Sequence, residues 1–93
     1  MTPILKDPGA ELRYVIVWTP GVLDGASIEV AQWVVEPQEV GGVTTAADFI
    51  SGSDTGAEFS GGIAGRVYRA ACRVTLSDGR IDERSLLLRV EER

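Results

Sequence analysis

Two long runs of alternating residues, joined by Asp78-Gly79, constrain the fold of this chain more than any other feature. The runs cover residues 66–77 and 80–91, and within them apolar side chains recur at every second position. Side chains alternate between the two faces of a β-strand, and Asp-Gly is favoured in two-residue hairpin turns. The sequence therefore predicts a C-terminal β-hairpin with one buried face on each arm. The predicted core residues of the two arms are Tyr68, Ala70, Cys72, Val74, Leu76, Leu86, Leu88 and Val90.

The register of this hairpin has a parity mismatch. Strict pairing across a two-residue turn sets Cys72 opposite Ser85, so that the core positions of one arm face outward positions of the other. One extra residue within residues 82–85 would set Leu86 opposite Cys72 and restore the match. We therefore expect a β-bulge in that segment.

Shorter strands precede the hairpin. Residues 12–18 place Leu12, Tyr14, Ile16 and Trp18 on one face of a predicted strand, and turn-forming Pro and Gly residues follow it. A second strand is predicted over residues 27–35. The other expected elements are weak extension over 40–45, a loop around Phe49 and Ile50 over 46–56, a short strand over 57–60 with Phe59 inward, and a glycine-rich corner between sheets over 61–65.

About seven short strands without a helix-period segment predict an all-β fold, an immunoglobulin-like two-sheet β-sandwich. Ninety-three residues suffice for one hydrophobic core, so residues 1–93 are expected to form a single domain. Trp33 is expected to fill the space between the sheets. Tyr68, at the start of the penultimate strand, lies where a tyrosine corner would place its hydroxyl on the preceding backbone.

Charge and composition exclude several classes of partner. The net charge of -5 argues against duplex nucleic acid, which is bound through clustered Lys and Arg. No apolar run approaches the length of a membrane span, and neither a secretion signal nor a membrane anchor is predicted. A single cysteine excludes an internal disulfide, which suits assembly in a reducing cytoplasm.

The charges are distributed unevenly along the chain. Residues 1–65 carry a net charge of -7, whereas residues 66–93 carry seven arginines and a net charge of +2. A polarised molecule of this kind can stack head to tail with copies of itself. The alternative, favoured by the usual behaviour of surface arginines, is that they serve solubility and weak ion pairs.

No catalytic, metal-binding or cofactor-binding residue is predicted. The chain has no histidine, and Cys72 falls on the inward face of its strand, where a thiol usually serves as apolar filler. Asp82 and Glu83 point to opposite faces of a regular strand and cannot converge for acid–base catalysis. At the expected bulge, which could turn them together, we expect them to form an ion-pair cluster with Arg84 that fixes the bend. The oxygen-bearing residues Asp48, Ser51, Ser53 and Asp54 could offer ligands to calcium, but they lack a recognised ligand spacing, so a plain polar loop is favoured.

Apolar residues at outward strand positions are the main anomaly. Solvent-facing positions are usually polar, yet three of them are Val15, Val17 and Leu87. These residues either mark a partner surface or are scattered exposed side chains of the common kind. Together with two outward arginines of the hairpin they form the candidate partner surface: Val15, Val17, Leu87, Arg69 and Arg73.

Both ends of the chain resemble one family. The segment Lys-Asp-Pro-Gly-Ala-Glu-Leu-Arg-Tyr-Val-Ile-Val-Trp of residues 6–18 is similar to a family of small tailed-phage proteins, the fiber-tail adaptor or tail-associated virion proteins. The segment Ser-Asp-Gly-Arg-Ile-Asp-Glu-Arg-Ser of residues 77–85 and the end at 88–93 share this similarity, as does Trp33.

The resemblance implies a virion component, present in multiple copies, of a phage or a prophage. It implies docking to other phage tail or virion proteins, with self-association among the contacts, and assembly in the host bacterial cytoplasm. The expected function is therefore a non-enzymatic, tail-associated structural adaptor without a cofactor.

Two rival functions remain open. A free-standing immunoglobulin-like module would recognise a carbohydrate or protein surface through its end loops, where Phe49 is the only aromatic candidate. A hydrolase or other enzyme is disfavoured by the small size and the missing histidine.

Overall fold

The computed structural model describes residues 3–92, so that Met1, Thr2 and Arg93 of the expected domain lie outside the described residues. Strands dominate this part of the chain. In chain order the elements are β1 (Ile4–Lys6), β2 (Leu12–Val17), α1 (Pro20–Leu23), β3 (Ile28–Glu36), β4 (Thr44–Ser51), β5 (Asp54–Ser60), β6 (Val67–Leu76) and β7 (Ile81–Val90).

The seven strands form two sheets. One has four strands in the order β1-β7-β6-β3, and the other has three in the order β2-β5-β4. Numbered from β2 as strand B, the sheets are B-E-D and C-F-G, as in immunoglobulin-like domains, with the short β1 added in parallel to β7. The prediction of an all-β, two-sheet sandwich is confirmed.

The predicted C-terminal hairpin is confirmed, but the predicted β-bulge is wrong. β6 and β7 pair without interruption from Val67 opposite Arg89 to Thr75 opposite Ile81. The parity is corrected in the turn instead, because Leu76 N–H donates to Arg80 O and Gly79 N–H donates to Leu76 O. The loop therefore has three residues, and its last one, Gly79, takes the left-handed conformation with φ of 90°.

The middle of the chain differs most from expectation. Residues 46–56 were expected to form a loop, yet they contribute most of β4 and the first part of β5, which pair as an antiparallel hairpin. A bulge between Ala46 and Phe49, with Ala47 at φ of 51°, interrupts this pairing. The small polar residues here show no alternation, so the sequence carried no strand signal. The short helix α1 was also not predicted; it begins at Pro20 and places Leu23 in the core.

The core between the sheets consists of two clusters that follow one another along β6. We call them the tyrosine cluster, around Tyr68, and the tryptophan cluster, around Trp18. Trp33 and Leu86 pack against both clusters. The expected place of Trp33 between the sheets is confirmed, and its ring meets Phe59 edge-on at 5.4 Å between centroids. Every predicted core residue of β6 is buried.

The tyrosine corner is also confirmed. Ile63 N–H donates to the Tyr68 hydroxyl at 3.1 Å, and that hydroxyl donates to a Glu39 carboxylate oxygen at 2.7 Å. The same carboxylate lies 3.7 Å from Arg66. Tyr68 thus ties the crossing between the two sheets to the loop that follows β3.

A buried lysine anchors β1 beside this corner. Lys6 Nζ donates to Gly61 O at 2.6 Å and to Asp7 O at 3.0 Å. Burial lowers the pKa of Lys6, although the nearby carboxylates of Asp7 and Glu11 oppose that shift. Its ammonium group therefore replaces water contacts with backbone carbonyls and fixes the edge strand to the crossing.

Candidate docking surfaces

The outward side of the four-stranded sheet is the broader candidate surface, and we call it the four-stranded face. Since Tyr68, Cys72 and Val74 point inward, the alternate residues of β6 point outward. Pairing aligns Val34 of β3, Ala71 of β6 and Ser85 of β7 in one row across its centre. Ala71 is only 5% exposed, because longer side chains flank it on this face.

This face is unusually apolar for a solvent-facing sheet. Val34 remains 46% exposed, and four other large apolar residues of the face are similarly open. They are Leu5, Val30, Val67 and Ile81. An outward sheet face is normally polar, so this concentration of apolar residues makes the four-stranded face a candidate docking surface.

Arginines accompany the apolar residues of the four-stranded face. Arg69 lies 3.8 Å from Glu83, and Arg89 lies 2.7 Å from Glu91. Arg73 makes no ion pair with any residue between 3 and 92. One guanidinium near the centre of the face is therefore free to pair with a partner.

The outward side of the other sheet, the three-stranded face, combines two valines with an aromatic ring. Val15 is 44% exposed and Val17 is more open still. The ring of Phe49 lies over Gly56, where an added Cβ would come within 2.4 Å of it, so glycine is required there. The Arg13 guanidinium lies 4.5 Å from the centroid of the same ring.

Two acidic residues of β5 complete the three-stranded face. Glu58 is aligned with Arg13, and Asp54 with Val17. Neither carboxylate forms an ion pair within the described part of the chain. The four-stranded face differs in that it carries the unpaired guanidinium of Arg73, although the outward carboxylate of Glu36 on that face also has no ion pair among the described residues.

One open side of the sandwich lies between the edges of β2 and β7. β1 covers only the end of β7, from Leu88 to Val90, so the preceding part of β7 exposes its edge. Arg84 points inward there: its guanidinium donates to Val17 O at 3.3 Å and lies 5.9 Å from the Trp18 ring. A groove of about 310 Å³ remains beside it.

Comparison with known proteins identifies the family. A family model described as "Podophage GP4 fiber-tail adaptor protein gp77" matches residues 6–89. The chain belongs to this family. It is a phage fiber-tail adaptor, which is a structural role, and the family resemblance drawn from its two ends is confirmed. Among curated proteins, none matches the chain.

The adaptor does not bring the five predicted surface residues together. Val15 and Val17 lie on the three-stranded face, whereas Leu87, Arg69 and Arg73 lie on the four-stranded face, on the opposite side of the sandwich. Sequence reasoning missed most apolar residues of the larger face. Their signal was outward parity within each strand, but which outward residues share this face depends on the pairing of the strands.

The interior of the adaptor offers little to chemistry. Burial raises the pKa of the Cys72 thiol, whose sulfur lies 3.4 Å from Thr55 Oγ1, so it is held as a neutral thiol. No group of three potential metal ligands occurs within residues 3–92. No helix in that same range is long and apolar enough to cross a membrane.

Two local expectations need correction. Asp82, Glu83 and Arg84 do not form the expected ion-pair cluster, because the regular ladder sends Glu83 outward to Arg69 and Arg84 inward to the β2 edge. Phe49 is not a loop residue, because it belongs to β4 and its ring is held between Gly56 and Arg13.

A second groove, of about 400 Å³, opens between β3 and β4. Trp33 and Glu39 are among its lining residues, as are Thr44 and Thr45. Trp33 Nε1 is buried and has no hydrogen-bond partner among the described residues. The carboxylate of Glu39 is already engaged by Tyr68 and Arg66, so this groove presents few free polar groups.

Proposed function

We propose that the adaptor docks onto neighbouring virion subunits through the outer faces of its two sheets, and that it does so without catalysis. The observation that carries this proposal is the exposure of apolar side chains on both faces of a sandwich whose family serves as a structural part of the tail. Flat apolar surfaces with a few charges are typical of protein–protein interfaces.

The outer faces suit docking better than the edges of β1 and β7 do. Each of the two strands on the β1/β7 side carries an inward-pointing cation, Lys6 on β1 and Arg84 on β7. Inward-pointing charges on edge strands are a known device that prevents another strand from pairing there. The outer faces carry no such protection.

The proposed partners are other tail or virion proteins and further copies of the adaptor, and the site of assembly is the cytoplasm of the bacterial host. A net charge of -5 does not suit binding to duplex nucleic acid. We propose neither a nucleic acid nor a membrane as partner.

Purified phage particles provide the test. Particles assembled with the wild-type chain should contain it in fixed ratio to the other tail proteins by quantitative mass spectrometry, and electron cryomicroscopy should locate it at the tail. Val34→Glu places a charge at the centre of the four-stranded face and should reduce incorporation at least about tenfold, the loss expected for a central interface residue.

Val40→Glu is the matched control, because Val40 is 99% exposed and lies in the loop after β3, off both faces. It should be incorporated like the wild type. Absence of the wild-type chain from particles would overturn the adaptor role. Normal incorporation of Val34→Glu would show that the four-stranded face is not a docking surface.

A further inference from the structure

We propose that copies of this chain stack on one another, with the four-stranded face of one copy against the three-stranded face of the next. This inference rests on the proposed docking role of the two faces and names a partner for them. It is a contact between two different surfaces of the same molecule, and therefore it can repeat from copy to copy.

The apolar residues of the two faces provide the first part of the match. Val34 and Ala71 form the centre of the larger face, and Val15 and Val17 form an exposed pair on the smaller one. Two faces of a sandwich can pack sheet on sheet in the same way as the two sheets within it. Such a contact would bury side chains that are close to half exposed in the single chain.

The charges provide the second part of the match. The free guanidinium of Arg73 lies on the four-stranded face, and the free carboxylates of Asp54 and Glu58 lie on the three-stranded face. Two three-stranded faces would bring these carboxylates together, whereas unlike faces bring the guanidinium of Arg73 to them. Charge thus favours stacking of unlike faces over the pairing of two three-stranded faces.

The net charges of the two parts of the chain have the same signs as the charges that meet in the proposed stack. The N-terminal part, which supplies β2, β4 and β5 of the three-stranded sheet, has a net charge of -7 over residues 1–65. The C-terminal part, which supplies β6 and β7 of the four-stranded sheet, has a net charge of +2 over residues 66–93. Residues 1–65 also supply β1 and β3 of the four-stranded sheet; counted over strand residues alone, the three-stranded sheet carries a net charge of -2 and the four-stranded sheet a net charge of +1. The polarity across the thickness of the sandwich therefore has the required sign but is smaller than the polarity along the chain.

Two face variants test the proposal with purified protein and no other phage component. Val34→Glu adds a carboxylate to the four-stranded face, and Val15→Lys adds an ammonium to the three-stranded face. Matched controls carry the same changes at the exposed loop position, Val40→Glu and Val40→Lys. Circular dichroism first establishes that every variant is folded, and sedimentation equilibrium then gives the mass over a series of concentrations.

The wild type and both Val40 variants should show a mass that rises with concentration. Each face variant alone should have an apparent dissociation constant at least about tenfold higher than that of the wild type. It should therefore remain at the monomer mass at concentrations where the wild type associates. An equal mixture of Val34→Glu and Val15→Lys should form dimers and nothing larger, because each variant supplies the one intact face that the other lacks.

Other outcomes would overturn the proposal. A wild-type chain that stays monomeric up to its solubility limit would exclude stacking. Association that is lost in only one face variant would indicate a symmetric contact between identical faces. If stacking fails while Val34→Glu is still lost from phage particles, the docking function stands and the four-stranded face binds a different subunit.

Discussion

Tyr68 shows how one side chain can hold the crossing between the sheets. It is fully buried, yet its hydroxyl accepts from Ile63 N–H and donates to Glu39, so that both of its polar functions are satisfied. Burial, followed by the hydrogen bond to Glu39, raises the pKa of Tyr68. The neutral phenol is therefore the form that the fold requires.

Replacing Tyr68 by Phe should make the protein less stable and change how its stability depends on pH. Loss of the hydroxyl leaves Ile63 N–H without its acceptor, which should lower the free energy of unfolding by about 1–3 kcal/mol at neutral pH. The raised pKa of Tyr68 means that its stabilising effect is full below the unfolded-state pKa of about 10 and is lost as pH rises through the folded value.

Urea unfolding from about pH 8 to about pH 11 checks this expectation. The wild type should lose stability more steeply than Tyr68→Phe in that range. Tyr14→Phe is the control and should follow the wild type, and the contribution of Cys72 cancels because all three proteins retain it. Equal slopes for the wild type and Tyr68→Phe would contradict the proposed role of the phenol.

At the scale of elements, the exposed edge of β7 is covered partly by a short strand and partly by a side chain. The even-numbered residues of β7 form the close hydrogen-bonded pairs with β6, as Val90 N–H to Arg66 O shows. The backbone N–H and C=O groups of the odd-numbered residues of β7 therefore point away from β6. β1 satisfies only the last of them. Arg84 covers the open part by crossing to Val17 O and shielding Trp18.

Replacing Arg84 by Val should therefore promote aggregation without greatly changing the stability of the monomer. Valine would make the inward side of the open edge apolar and remove the charge that opposes strand addition. Light scattering during incubation at fixed concentration should rise several-fold faster than for the wild type. Arg66→Val removes the same charge at the corner before β6 and should scatter like the wild type; equal scattering by the two variants would contradict the protective role of Arg84.

The same elements show how far the sequence predicted the structure. Alternation identified β2, β3, β6 and β7 and the inward side of each, because these strands bury one face and expose the other. β4 was missed, since the small polar residues of Thr44–Ser51 carry no alternation and a bulge at Ala47 shifts their parity. The sequence shows the parity mismatch between the two arms of the hairpin. A three-residue turn and a β-bulge correct this mismatch equally well, and the local sequence does not distinguish between them.

The candidate surface was harder to predict for a related reason. Whether a residue points outward follows from parity within its own strand, and Val15, Val17, Arg69 and Arg73 were identified in that way. Which outward residues share a face depends on the pairing of distant strands, such as Val34 with Ala71. That pairing is a property of the sheets and is not contained in any single segment.

At the scale of the whole molecule, the two clusters of the core raise the question of whether the chain unfolds as one unit. The tyrosine and tryptophan clusters share Trp33 and Leu86, and β6 runs through both. A disturbance in one cluster should therefore reach the other through these shared side chains. We therefore expect the described residues to unfold as a single domain.

Leu86→Ala should consequently weaken both clusters together. Because Leu86 is only partly buried, we expect a loss of about 2 kcal/mol, at the lower end of the range for truncation of a core leucine. Unfolding in urea, followed by tryptophan fluorescence and by far-ultraviolet circular dichroism, should give coincident transitions in the wild type and equally shifted transitions in the variant. Ile81→Ala, on the outer face of the same strand and 57% exposed, is the control and should change the midpoint much less. Separate transitions in the wild type would mean that the clusters unfold independently, and the chain would then consist of two cooperative units joined by β6.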